Sequence, residues 1–134
     1  MLDAFAVALK DPARVVRSAA AQGAAVSAKG QAALGQKLLE ALGVEREGVV
    51  RAVLVRALLE TGGASPTDGP LLIGLLATDP EPSVRYGSAR LLGRVRATGA
   101  IAALCEALAH DPEALVRGFA AEALGKIGPE ARAA

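Results

Sequence analysis

Four arginines each follow an acid by six residues: Arg17 after Asp11, Arg51 after Glu45, Arg85 after Asp79 and Arg117 after Asp111. Two chemistries suit such a series. A row of guanidinium forks can hold phosphates or other anions, because each fork offers paired donors to an oxyanion. The same forks can hold the chain's own carboxylates, pairing each arginine with the acid six residues before it or with that of a neighbouring segment. The second use suits a partly buried seam, where charges need partners, and is the reading adopted for all eight residues.

The remaining reactive residues are few. His110 is the only histidine and precedes Asp111; at the end of a helix a cation interacts favourably with the dipole. Cys105 is the only cysteine. Beside Leu104 and Leu108 it reads as a buried structural thiol, and without a second cysteine or a nearby histidine it implies neither a metal site nor an activated nucleophile. Ser65 and Asp68 share a segment that lacks a histidine, so no triad is suggested. No catalytic residue, metal or cofactor is expected, and the chain is not read as an enzyme.

The elements that position these residues follow from composition. The chain has 134 residues, 52% hydrophobic and 22% charged, enough apolar material for a core and too much for a disordered segment. It holds 31 alanines and only three aromatic residues, Phe5, Tyr86 and Phe119. Alanine is the best helix former, whereas aromatic and β-branched residues favour strands, so an all-helical protein with closely packed helices is expected. A net charge of +1 lacks the positive excess of a general nucleic-acid binder. The lone cysteine suits a reducing cytosol. Met1-Leu2-Asp3 opens no basic, signal-like region. The uncharged stretch Ser18 to Ala28 is far shorter than the roughly 20 apolar residues of a membrane span. A cytoplasmic location with no membrane contact is the expectation.

The acids also mark a repeat. Counted from Asp79 and from Asp111, the residues at +5, +6, +10, +13 and +14 are Val-Arg, Ala and Leu-Gly in both cases. From Asp11 the same offsets find Val16, Arg17, Ala21 and Ala24, and from Glu45 they find Val50, Arg51, Val55 and Leu58. Repeats of about 1–29, 30–63, 64–96 and 97–128 result. Each reads as a first helix (2–10, 31–42, 70–78, 100–110) and a second (13–28, 47–61, 82–95, 113–127), with apolar residues at three- and four-residue spacing. The acid is expected to cap the second helix, with Pro at its first position. Gly30, Gly43 and Gly128 are expected at helix ends. Gly62 to Gly69 reads as a surface loop inside a single domain of residues 1–134, because the period runs through it unchanged. One helical pair cannot bury its apolar face, so pairs must stack, which makes an α-solenoid.

The pattern Asp-Pro-x3-Val-Arg-x3-Ala-x2-Leu-Gly resembles the HEAT repeat in the short form found in phycobilisome-lyase-like families. The stretch from Leu104 to Gly128 carries it most fully. The second repeat departs most, with Glu45 for Asp, Arg46 for Pro and Leu59 for Gly. The aromatic positions of tetratricopeptide repeats and the Thr-Pro-Leu-His signature of ankyrin repeats are absent. The resemblance implies four HEAT-like helical hairpins, an interior ladder made by the acids and arginines at these places, and second helices that line a concave face. On that face would lie offsets +7, +11 and +15, which vary between repeats and include Arg56, Tyr86, Arg90, Arg94 and Lys126. Tyr86 stands out, since Ser18, Ala52 and Gly118 occupy its place elsewhere. The leading reading is a protein–protein interaction module or scaffold using this face. The family likeness alone adds a chromophore-lyase accessory role, and the basic residues add nucleic-acid binding. Self-association is expected through the C-terminal repeat, where Leu115 and Phe119 would lack a cover.

Overall fold

The computed structural model describes residues 2–27 and 32–129. All eight expected helices form: α1 (Leu2–Ala8), α2 (Arg14–Ser27), α3 (Ala32–Val44), α4 (Gly48–Thr61), α5 (Gly69–Thr78), α6 (Pro82–Arg94), α7 (Ile101–His110) and α8 (Ala114–Ile127). Short 3-10 turns at Pro66–Asp68 and Thr98–Ala100 lead into α5 and α7. There is no strand among the described residues. The fold is all-α, of α-solenoid type, and its structural unit is the helical hairpin.

The chain divides into two compact units, 1–64 and 65–134, each holding two hairpins. In the first, α1 packs on α2, α3 on α4, and α2 on α4. Leu34, Leu38 and Leu42 recur every four residues along α3 and are buried with Leu54 and Leu58 of α4. This places one stripe of a 3.6-residue helix against its neighbours. In the second unit α5 packs on α6, α7 on α8, α6 on α8 and α5 on α7. Its core holds Leu72, Leu76, Val84, Leu91, Leu92, Leu104, Val116, Ala120 and Ala123. Small residues let α6 and α8 approach closely: a Cβ on Gly93 would lie 2.6 Å from the Cα of Ala123. In the first unit Gly35 and Gly63 meet backbone to backbone, leaving no room for a side chain on either.

The turns depart from expectation in three places. Residues 62–69 are not a bare surface excursion. Gly62 takes φ 70° to end α4, Gly63 and Gly69 are buried, and Ser65 N donates to Asp68 Oδ2 at 2.8 Å. Gly43 lies inside α3 rather than beyond it, while Gly128 does end α8 with φ 86°; Gly30 lies outside the described residues. The residue that turns left-handed after α6 is Arg96, at φ 53°. Its neighbour Ala97 donates from N to Leu92 O at 3.1 Å, the six-residue closure of a Schellman motif.

Position +14 of the repeat separates closed from open packing. Gly93→Ala gains helix propensity but must force α6 from α8, so a net loss of about 1–3 kcal/mol is expected. Gly125→Ala, at the same repeat position but where a Cβ meets nothing within 4 Å, should gain about 0.5–1 kcal/mol. Urea unfolding of the two variants checks both signs.

Candidate functional site

The repeated acids do not cap the second helices. The N-cap positions of α4, α6 and α8 are Glu47, Glu81 and Glu113, none with a side-chain cap bond. Each anchor acid instead accepts the backbone N–H two residues on: Asp11 from Ala13 at 2.8 Å, Glu45 from Glu47 at 3.1 Å, Asp79 from Glu81 at 2.9 Å and Asp111 from Glu113 at 3.0 Å. Asp79 and Asp111 also end the first helices α5 and α7 in extended backbone. The carboxylate thus closes the tight link between the helices of a hairpin, an Asx-type turn that competes with capping. Pro80 and Pro112 lie in that link, outside α6 and α8; it is Pro82 that begins α6.

The arginines complete the device. Each donates from Nη1 to the carbonyl of its own anchor: Arg17 to Asp11 at 2.9 Å, Arg51 to Glu45 at 3.2 Å, Arg85 to Asp79 at 2.9 Å and Arg117 to Asp111 at 2.8 Å. The rest of the fork reaches forward. Arg17 Nε and Nη2 donate to Glu45 at 2.8 and 3.0 Å, and Arg85 Nε and Nη2 to Asp111 at 2.9 and 3.3 Å. Within each unit the pair joins one repeat to the next, and all four side chains are largely buried. Burial pushes the Glu45 carboxyl up. The hydrogen bonds from Arg17 and from the Glu47 and Arg46 backbone, with the nearby Arg17 charge, outweigh it and hold Glu45 below the usual carboxylate range. Arg17 is correspondingly raised, first by its hydrogen bond to Glu45.

The variable positions occupy a different surface. In the first unit Arg56 and Glu60 of α4, with Gln22 and Val26 of α2, line a shallow groove of about 230 Å³. In the second unit Tyr86 and Arg90 of α6 meet Phe119 of α8. The Tyr86 and Phe119 ring centroids are 5.6 Å apart, tilted by 34°, and Arg90 Cζ lies 4.9 Å from the Phe119 centroid. The tilted pair and the cation over a ring face are both favourable arrangements. Arg94 is exposed on α6, and Lys126 Nζ lies 3.3 Å from Glu122 on α8. Phe119 is therefore half-buried beneath Tyr86 and Arg90 rather than left uncovered. Its signal was present: +8 holds Ala19, Val53 and Gly87 elsewhere, so Phe119 is as much an outlier there as Tyr86 is at +7.

Two further features complete the survey. A cleft of about 550 Å³ lies between α1 and α3, lined among others by Leu9, Ala41, Val44, Lys10, Asp11 and Arg46. It carries charges of both signs, and its lining includes the ladder residues Asp11, Arg17 and Glu45. His110 Nδ1 is 3.1 Å from Glu106 Oε1 on the exposed side of α7, while Cys105 is half-buried rather than fully enclosed. Among the described residues no group of three or more His, Cys, Asp or Glu could hold a metal ion, and no helix is long and apolar enough to cross a membrane.

Compared with known families, residues 69–134 match the model for HEAT repeats. No curated protein matches the chain in sequence.

The lowered Glu45 value carries a pH signature. A carboxyl whose folded pKa lies below its unfolded value of about 4.3 contributes stability above that value and loses it as pH falls through the folded pKa. Glu45→Gln should therefore unfold at lower urea than the parent at pH 7, with the gap narrowing as pH falls below about 4. A gap unchanged between neutral and acid pH would contradict the pairing.

Proposed function

This chain belongs to the HEAT-repeat family, and from that premise we propose that it is a non-catalytic binding module for a protein partner, working through the exposed face of its second helices. The observation that carries the reading is the Tyr86–Phe119–Arg90 cluster. Repeats that only stack have no need of two aromatics at positions where their counterparts are Ser18, Ala52, Gly118, Ala19, Val53 and Gly87. Aromatic and arginine side chains are the residues that most often carry interface energy. Here Phe119 stiffens both Tyr86 and Arg90, so less side-chain entropy is lost on binding.

The charges nearby set the partner's chemistry. Arg90 and Arg94 of α6 share their helix face with Tyr86, at successive four-residue spacings. Lys126 is the basic counterpart on α8, partly offset by Glu122. Arg56 stands on the first unit's groove opposite Glu60 in sign. An acidic peptide segment with an apolar or aromatic anchor fits this surface. A reducing, cytoplasmic setting is part of the proposal and is supported by the single half-buried thiol. A nucleic-acid ligand is disfavoured by the net charge of +1.

Affinity capture from source lysate, treated with nuclease, tests the reading against a control with Arg90→Glu and Arg94→Glu. Arg94 is exposed and Arg90 half-buried on α6, neither in the apolar core, and helical circular dichroism of the control checks that it stays folded. The expected result is a protein retained by the native chain and lost by the control, with Kd for that protein weakened about tenfold or more, as for hot-spot residues. Equal retention by both baits would overturn the site, and a captured species destroyed by nuclease would replace the protein partner with nucleic acid.

A further inference from the structure

The departures of the second repeat gather at one place. Its anchor is Glu45 where the other repeats have aspartate, and Arg46 stands where they have Pro12, Pro80 and Pro112. Val44 stands where they have Lys10, Thr78 and His110. All three departures line the cleft of about 550 Å³ between α1 and α3. Val44 is 79% exposed there, an apolar side chain at a position that is polar in every other repeat. In the second unit the corresponding first helices, α5 and α7, pack on each other. In the first unit a cleft lies between them, with a volume inside the roughly 300–1,000 Å³ of small-ligand sites.

The apolar part of the lining is aliphatic. Lys37, Glu40, Ala41 and Val44 follow at three- and four-residue spacing and form one stripe of α3. At 1.5 Å per residue that stripe runs about 10 Å along the helix axis. Ala6 of α1 and Leu9 just beyond it line the cleft as well, and no aromatic ring does. A flat aromatic ligand would find nothing to stack on, whereas an alkyl chain of medium length matches the stripe in both length and chemistry.

The charges of the lining are unevenly committed. Four cations meet three acids. Glu45 is taken by Arg17 through two hydrogen bonds, and Glu40 lies 3.7 Å from Lys37. Asp11 accepts the Ala13 N–H at 2.8 Å and gives its carbonyl to Arg17. Lys10 and Arg46 are both exposed, and no carboxylate among the described residues pairs with either. The excess of one positive charge suits a singly charged anion. The Arg46 fork matches the two oxygens of a carboxylate.

We infer that this cleft binds a small amphipathic acid, an aliphatic chain of medium length that ends in a carboxylate. Arg46 and Lys10 hold the head, and the chain covers Val44, Ala41 and Leu9. Covering Val44 removes apolar surface from water, and Arg46 gains the anion that the folded chain does not give it. The inference goes beyond the proposed function and uses none of Arg56, Tyr86, Arg90 or Phe119.

A heteronuclear NMR titration of the full chain tests it, with decanoate as the probe, kept below its micelle concentration. Saturating shifts should gather on the amides of Leu9, Lys10, Ala41, Val44 and Arg46. The chain with Lys10→Gln and Arg46→Gln, changed at exposed positions, should keep the parent's helical circular dichroism and urea midpoint. Its Kd for decanoate should rise about tenfold or more, as for a lost charge-assisted contact. Decyltrimethylammonium has a similar chain with the opposite charge, and acetate has the same head without the chain. Neither should saturate these amides at concentrations where decanoate does. The Arg90→Glu, Arg94→Glu chain should bind decanoate as the parent does, so that failure of the cleft and failure of the protein-binding face are separate results. Decanoate shifts that do not saturate or that spread over the whole surface, equal affinity in the Lys10→Gln, Arg46→Gln chain, or saturation by the cation or by acetate would each overturn the proposal.

Discussion

The arginine fork that holds two places at once is the constraint on which the rest depends. One end of each guanidinium ties down the link between the helices of its own hairpin, through the anchor carbonyl. The other end of Arg17 and of Arg85 grips the acid of the next repeat within the same unit. That acid is already committed, because it closes the link of its own hairpin by accepting the N–H two residues on. Each carboxylate therefore fixes a local turn and a long-range contact together. Buried ion pairs add little net stability compared with apolar packing of the same volume, and their best-attested role is to select one register. A fork with directional donors does so in a stack of alanine-rich helices, where small, similar side chains discriminate poorly between registers.

Close packing depends on that register. Gly93 on Ala123 is a contact that tolerates no sliding by even a residue, since the positions on either side of Gly93, Leu92 and Arg94, carry side chains, and Gly35 on Gly63 leaves no room for a side chain on either. The conserved geometry of the links leaves the outward offsets of the second helices free to vary. Those offsets carry the Tyr86–Phe119–Arg90 cluster in one unit and the Arg56–Glu60 groove in the other. On the proposed function, stacking and recognition draw on largely separate positions of the same helices, which is how a repeat scaffold can change its surface without losing its core.

The hairpins were legible in the sequence because two signals agreed: the three- and four-residue apolar spacing within helices, and the fixed offsets from each anchor acid. The role of Arg17 and Arg85 as partners of carboxylates is one of two that the residue types allow, and the resemblance to HEAT repeats favours it. Which carboxylate each takes could not be read, since acids 26 to 28 residues ahead and six residues behind are equally plausible without coordinates. The anchor acids close Asx-type turns and not caps: Asp before Pro suits both, and only the hydrogen bond from the residue two ahead separates them. Arg96 escaped notice because a left-handed turn is expected of glycine, and its arginine gives no local sign of it. Phe119 was assigned to an uncovered end because a single-chain pattern shows its helix face and not the Tyr86 ring that lies against it.

A double-mutant cycle at one rung measures the central claim directly. Arg85→Met, Asp111→Asn and the double variant would be unfolded in urea and their free energies compared. If the fork couples consecutive hairpins, the two losses are strongly non-additive, with an interaction energy of about 1–3 kcal/mol, as for residues in one buried network. Additivity within about 0.3 kcal/mol would mean that packing alone holds the repeats in register and that the ladder is a bystander.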